Sequence, residues 1–379
     1  MELSMQIVKK ALVDEETKNL GKNFIFSPLS LTTLLSMVAS GLKGETLEQL
    51  MSLLGLKSLA DLITESCRLV AMATSENDEG PLLFSSANGA WVDKKYKLKP
   101  SFQQVLRTIY KADSFTLDFG NKLEEALKEI DSWVENATKG LIKKSVSKKF
   151  VRNDTVLILA NALYFKGTWA RPFHPFLTKT KNFYTLDGNV VEVPFMHEFC
   201  RIYSYGTSQG FKIIRLPYKD GSQKGHRFSM YIFLPDEKDG LPDLLKQLSS
   251  DSALINLEFE FEEERIREVA IPKFKFMYSI EVSDIMEQMG LRLNIKENAE
   301  MLEDLNPNAI IEDMKVCHTC CIEVNERGTE AAAVSFSLVG GGGPPPTEFI
   351  ADHPFMFMIR EDFSETPIFL GAVVNPLLA

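Results

Sequence analysis

Two rhythms of apolar and polar residues run along this chain. The helical rhythm comes first. Residues 4–20 are mixed and predict a helix, and Asn23-Phe-Ile-Phe-Ser-Pro-Leu-Ser30 leads into another over 31–40. Ser27 is placed to cap that helix, with Pro28 at its first position. Gly41 and Gly44 break it, and 45–54 predicts a further helix. Residues 121–139 are strongly amphipathic and stop at Gly140. The run 156–165 is continuously apolar, a buried strand or a short helix by period alone. Strand patterns occupy 83–92, most of 182–234 with turns at Asp187-Gly188 and Asp220-Gly221, and much of 257–276. Short helices are expected at 241–248 and at 280–289 before Gly290. Strands at 317–324, 355–359 and 368–374 close the chain. No internal repeat is present. The mixture predicts an α+β fold with large antiparallel or mixed sheets.

One segment breaks both rhythms. After 317–324 come Asn325-Glu-Arg-Gly-Thr-Glu-Ala-Ala-Ala333, then Val334-Ser-Phe-Ser-Leu-Val339, four glycines and Pro344-Pro-Pro346. Side chains alternate faces along a strand. With Thr329 inward, the inward set is Thr329, Ala331, Ala333, Ser335, Ser337, Val339 and Gly341, all small. The outward set holds the bulky Phe336 and Leu338. A strand entering a packed sheet late must add little volume on the core side, because cores resist overpacking. Gly328 gives a hinge where the chain turns back. The prolines lack a ladder donor, so an insertable strand must end near Gly343. A disordered linker is the plainer reading. A linker needs no period-two sorting, and the residues beyond Pro346 are too few for another domain.

The 379 residues are 45% hydrophobic and 25% charged, ordinary globular values. The net charge of −10 argues against a nucleic-acid surface. Residues 1–10 carry no long apolar run and do not read as a secretory signal, and no stretch reaches the length of a membrane span. Cys67, Cys200, Cys317, Cys320 and Cys321 form no disulfide framework, which suits reduced thiols in a cytoplasmic or nucleocytoplasmic setting. Extracellular release by an unconventional route stays open.

The hinge residues Glu326, Arg327, Gly328, Thr329, Glu330, Ala331, Ala332 and Ala333 resemble the reactive-centre loop hinge of serpins. The resemblance extends over the chain in the family's order. It is carried by 23–30, by Asn161-Ala-Leu-Tyr-Phe-Lys-Gly-Thr-Trp169, and by Val193-Pro-Phe-Met196 with Phe228-Ser-Met-Tyr-Ile-Phe-Leu-Pro235. Ile271-Pro-Lys-Phe274, Asp352-His-Pro-Phe355 and Phe369-Leu-Gly371 complete it. The pattern looks most like plant-type intracellular serpins. The resemblance implies a single domain over 1–379 with three β-sheets, about nine helices and an exposed reactive-centre loop over about 326–348. It implies a shutter of Ser27, Ser30, Asn161 and His318 where the main sheet opens, His318 lying eight positions before Glu326. It implies a breach at Trp169, and a pairing of Lys273 with Glu326. The implied activity is suicide inhibition of a serine or cysteine protease. The protease cuts the loop, and the loop then inserts into the main sheet before the acyl-enzyme can hydrolyse. The chain is then no enzyme. Its partner is the protease, with no nucleic acid, membrane, cofactor or metal, and it acts as a monomer.

The pattern departs from the family at the bait. The resemblance implies a scissile bond after the seventeenth position counted from Glu326, which is Gly342, so the implied reactive bond is Gly342–Gly343, where no side chain can fill a protease pocket. No Lys or Arg lies between Arg327 and Arg360, which disfavours basic-specific proteases. The stretch 343–349 is short, and its prolines obstruct extended binding in a cleft. Cleavage after Phe336 or Leu338 would leave too short a strand and give simple substrate behaviour. The alternative function is a non-inhibitory serpin acting as a protease substrate or binding protein.

Other chemistries fit the residues less well. Gly206-Thr-Ser-Gln-Gly210 has the spacing of a nucleophile elbow, but that motif needs a helix after Ser208 and a strand pattern comes next. Cys317-His-Thr-Cys-Cys321 lacks the second ligand pair of a zinc site. Lys143, Lys144, Lys148 and Lys149 could attract a polyanion, though a solvated surface explains them as well.

Overall fold

The structure is a computed structural model that describes residues 21–54, 58–73, 82–138, 140, 142–143, 146, 148–220, 227–250, 260–291, 300–303, 314–328 and 347–378. Residues 4–20, 329–346 and parts of the other predicted segments lie outside this set, so the expected first helix, Thr329 to Ala333 and the Gly342–Gly343 bond receive no structural account.

The N-terminal part supplies strand β1 (Phe24–Phe26) and the helices α1 (Pro28–Ala39), α2 (Gly44–Leu53) and α3 (Leu59–Ala73). All twelve residues of α1 are buried. A helix without a polar face belongs inside a protein, and α1 runs under a sheet. Ser27 caps it as expected: its backbone is extended and its side chain accepts from Ser30 N. Next come β2 (Leu82–Asp93), α4 (Pro100–Ile109), β3 (Asp113–Leu117), α5 (Phe119–Ala137) and β4 (Leu157–Gly167). Then follow β5 (Lys179–Tyr184), β6 (Val190–Ser208), β7 (Phe211–Pro217), β8 (Phe228–Pro235), α6 (Leu241–Ser250), β9 (Glu262–Pro272) and β10 (Phe274–Glu281). The chain ends with α7 (Val282–Gln288), β11 (Met314–Val324), β12 (Glu348–Ile350), β13 (Phe355–Glu361) and β14 (Pro367–Val373).

A five-stranded sheet has the order β10-β11-β4-β2-β3. It is covered on both faces. Leu34, Leu35 and Val38 of α1 share one core cluster with Leu157, Leu159 and Val316. Ile130 and Leu127 of α5 lie over Trp91, Ile158, Ala160 and Cys317 on the other side. Burial on both faces explains why β4 reads as an unbroken apolar run, and it resolves 156–165 as a strand. The second sheet has nine strands in the order β1-β14-β13-β8-β7-β6-β9-β12, with β5 also on β6.

Two differences from the sequence expectation have physical causes, and three elements were not anticipated. The described residues form two sheets, not three, and seven α-helices rather than about nine. The nineteen residues of β6 pair with β5, β9 and β7 in turn and so join two smaller sheets into one hydrogen-bonded surface. Cys200, at φ 54°, marks the bend along the way. The helix expected over 280–289 starts only at Val282, because Ile280 and Glu281 are held in the β10–β11 ladder opposite His318 and Cys317. The helices α3 and α4 and strand β3 had no counterpart in the sequence reading.

Candidate functional site

Strands β11 and β4 are parallel neighbours, in register from Met314 against Leu157 to Ile322 against Phe165. In the same register His318 stands beside Asn161, and Asn161 stands beside Asn88 of the antiparallel β2. Three polar side chains thus form a row across the middle of a buried sheet. His318, Asn161 and Asn88 are 1%, 2% and 4% exposed. Each needs a partner, since an unsatisfied buried polar group costs about 1–3 kcal/mol.

The first turn of α1 supplies those partners. Ser27 N donates to His318 Nε2 at 3.3 Å. Ser30 Oγ donates to Asn161 Oδ1 and lies 3.4 Å from His318 Nδ1, so one hydroxyl braces both strands. Asn161 Nδ2 donates to Asn88 Oδ1 and Ser86 Oγ. Asn88 Nδ2 in turn donates to the Tyr110 carbonyl at 2.8 Å, and the Tyr110 hydroxyl is bonded to Ser36 and Ser40. The expected set of Ser27, Ser30, Asn161 and His318 is therefore brought together. Ser36, Ser40, Ser86, Asn88 and Tyr110 extend it and were not anticipated. Asn88 sits in an unremarkable strand pattern, and only cross-strand register reveals its place.

With a backbone N–H aimed at Nε2, His318 is a neutral imidazole carrying its proton on Nδ1. Cys320 lies on the same face of β11, its Sγ 3.0 Å from the same Nε2. Burial pushes His318 down to about 3 and raises the Cys320 thiol well above its usual range. The cysteines of this strand are not gathered. Cys317, Cys320 and Cys321 belong to three separate core clusters: strand alternation turns Cys320 to the opposite face from the other two, and Cys317 and Cys321 lie four positions apart along their shared face. Among the described residues no group of His, Cys, Asp and Glu is arranged to hold a metal ion.

At the end of the β4–β11 ladder the chain turns through Glu326–Gly328. Lys273, between β9 and β10, reaches Glu326 Oε1 at 3.0 Å and Oε2 at 2.9 Å. Thr178 Oγ1 donates to the same carboxylate at 2.7 Å, and Phe173 N donates to the Glu326 carbonyl at 2.8 Å. Burial alone would raise the Glu326 carboxyl, but these donors and the Lys273 charge hold it below its usual value. Trp169 stacks on Tyr218 at 4.5 Å, donates from Nε1 to the Asn325 carbonyl and bonds the Arg327 carbonyl through its backbone N–H. Gly328 has φ 74°, and a Cβ there would lie 2.2 Å from Gly167 O and 2.4 Å from Trp169 N. The turn is a close fit to the end of β4 as well as a position that needs glycine's freedom. The return side of the loop is also fixed: β12 pairs in parallel with β9, placing Glu348 beside Glu268.

The Gly206–Gly210 motif is a hairpin. Ser208 pairs with Phe211 across a two-residue turn whose Gly210 has φ 88°, and β7 follows where an elbow would need a helix. No helix among the described residues is long and apolar enough to cross a membrane.

Comparison with known proteins agrees with this geometry. Residues 2–376 match the family model described as serpin (serine protease inhibitor). Serpin-Z2A of Triticum aestivum is 38% identical over 374 residues, covering 96% of this chain and 93% of that one. Serpin-ZX of Arabidopsis thaliana is 38% identical over 387 residues, covering 99% and 97%. The solved structure of Arabidopsis AtSerpin1 in its native stressed conformation superposes with a TM-score of 0.86 at 37% identity, covering 99% of this chain and 96% of that one. A five-stranded sheet whose central pair is parallel, a braced turn at the end of that pair and full-length similarity to plant serpins together place this chain in the serpin family of protease inhibitors.

Proposed function

We propose that this chain traps a serine or cysteine protease by presenting 326–348 as bait and drawing the cleaved strand between β4 and β11. The observation that carries the reading is the direction of the strands. Because β11 and β4 run parallel and the chain reverses at Gly328, a strand continuing from that turn runs antiparallel to both. Insertion would exchange one parallel ladder for two antiparallel ones, the more favourable pairing per residue. Loop insertion of this kind releases strain held in the uncut state. Thr329, Ala331 and Ala333 are small enough to slide over the packed face, and Gly342–Gly343 is the bond we assign as reactive.

In this reading the polar row is the latch of the sheet. Ser30 bonds residues on both strands that must part, so opening costs those bonds. Lys273, Thr178 and Trp169 hold the hinge until cleavage releases it. No catalytic group of the inhibitor takes part. The partner is a protease whose primary pocket is shallow enough to accept glycine. The chain acts as a single-domain monomer, and its five free cysteines suit a reducing compartment such as the cytoplasm or nucleus.

The test is incubation with serine and cysteine proteases of small-residue preference. Denaturing gels, mass spectrometry of the cut site and a thermal melt before and after cleavage are the readouts. A denaturant-resistant complex with cleavage at Gly342–Gly343 is expected, with a higher melting temperature after cleavage. Cleavage with neither complex nor stabilisation would defeat the reading and leave a protease substrate.

A further inference from the structure

Cys320 is a buried nucleophile that the trap does not use. It is 0% exposed on β11, in the core cluster that holds Ile25, Leu29 and Leu163. A thiol alone in such a place is inert, because reactivity follows the thiolate and burial disfavours it. This thiol is not alone. Its Sγ lies 3.0 Å from His318 Nε2, the ring nitrogen that carries no proton. Ser27 N–H, at the cap of the twelve-residue α1, is directed at the same sulfur as well as at Nε2. An imidazole acceptor, a backbone donor and the positive end of a helix all favour a thiolate. Ser30 Oγ, 3.4 Å from Nδ1, braces the other side of the ring.

Burial and this arrangement oppose each other. In the closed sheet burial holds the thiol and the imidazole neutral. Moving the proton from sulfur to Nε2 makes an adjacent ion pair, which a low-dielectric site tolerates better than either charge by itself. The proton need travel only along one hydrogen bond. The site is closed to solvent, so a reactant must be small and uncharged to enter it. A hydroperoxide meets that condition, and a bulky or charged disulfide does not. Cys317 and Cys321 are also buried, but they face the other side of β11, away from His318.

We infer that Cys320 is a peroxide-sensitive site, and that its oxidation loosens the polar row joining α1 to β4 and β11. The thiol gives its proton to His318 Nε2, and the sulfur attacks one oxygen of the peroxide. The O–O bond breaks, the sulfur keeps one hydroxyl as a sulfenic acid, and the departing hydroxide takes the proton back from His318 to leave as water. Sulfur is oxidised and the peroxide reduced. The added oxygen has to fit a packed core, and its hydroxyl competes with Ser27 N–H for Nε2, so the closed sheet is weakened. With Cys317 and Cys321 on the opposite face, β11 offers no thiol to resolve the sulfenic acid. Added thiol restores it in two steps: the first equivalent forms a mixed disulfide with loss of water, and the second displaces Cys320. The site stands whether or not the chain traps a protease.

The test treats the full chain with hydrogen peroxide and caps sulfenic acids with dimedone, and mass spectrometry then gives the rate at each cysteine. In the parent, Cys320 should be oxidised at least tenfold faster than Cys317 and Cys321, which report general unfolding. In His318→Gln that ratio should fall to about one, whatever the variant does to stability, because the proton acceptor is gone. A parent ratio near one overturns the inference, as does a ratio that survives in His318→Gln. So does a dose that oxidises the exposed Cys67 and Cys200 and leaves Cys320 untouched. The melting temperature of the oxidised parent should be lower by about 2 °C or more, recover with added thiol, and stay constant through the same treatment in Cys320→Ser. An unchanged melt once Cys320 is oxidised overturns the loosening.

Discussion

Protonating His318 should loosen the centre of the molecule, and the effect can be worked from the geometry. The imidazole is 1% exposed, with Ser27 N–H and the Cys320 thiol both directed at Nε2. A second proton on the ring would face that backbone donor and place a charge in a site with no carboxylate bonded to it. Burial accordingly holds the group at about 3 against an ordinary 6.5. The folded value is the lower one, so between the two the unfolded chain binds a proton that the folded chain refuses. The stabilisation is complete above about 6.5 and is lost as pH falls, at ~1.4 kcal/mol per unit. At pH 5 the loss is ~2 kcal/mol, a large part of the net stability of most domains. The assay is urea unfolding from pH 4.5 to 7.5 for the parent and for His318→Gln, which keeps an acceptor and cannot titrate. Carboxylates contribute equally to both, so the difference between the two curves isolates His318. The parent should lose its advantage over the variant by ~1.4 kcal/mol for each unit below 6.5. Parallel curves, or an imidazole whose NMR titration falls near its ordinary value, would refute the reasoning.

The same contacts lead to other outcomes. Gly328→Ala should cost about 2 kcal/mol or more, since a Cβ meets backbone at 2.2 Å and the residue sits at φ 74°; equilibrium unfolding checks this. Tyr110→Phe removes the hydroxyl shared by Ser36 and Ser40 and should cost about 1–2 kcal/mol, read in the same way. Lys273→Met should return the Glu326 carboxyl toward its usual range in a carboxyl titration. It should destabilise by no more than about 1 kcal/mol, because Lys273 is itself 36% exposed. Thr329→Arg places bulk on the face assigned to the sheet, so the loop should be cut without trapping, seen as a stoichiometry of inhibition that rises several-fold.

The sequence by itself determined the features that act locally or repeat with a fixed period. Ser27 and Pro28 announce a helix start because capping involves residues three apart. The apolar run at 156–165 announces a buried element because both of its faces are covered, but strand and short helix stayed open until the pairing of β4 chose the strand. The small-and-large sorting of 329–341 is equally local, an expectation of a strand with one restricted face that falls on residues outside those described. Family motifs spread over the whole chain then supplied the order of the elements. Only the tertiary structure decided what depends on register between distant segments. Asn88, Asn161 and His318 lie up to 230 positions apart and become one row through two ladders, one of them parallel. Tyr110 joins them through its carbonyl and hydroxyl, groups that no pattern in 100–113 singles out. Ile280 and Glu281 carry a helical pattern yet stay in a strand, because β11 pairs with them. Propensity and period are short-range quantities, whereas pairing register and exposure are fixed by the packing of the whole chain.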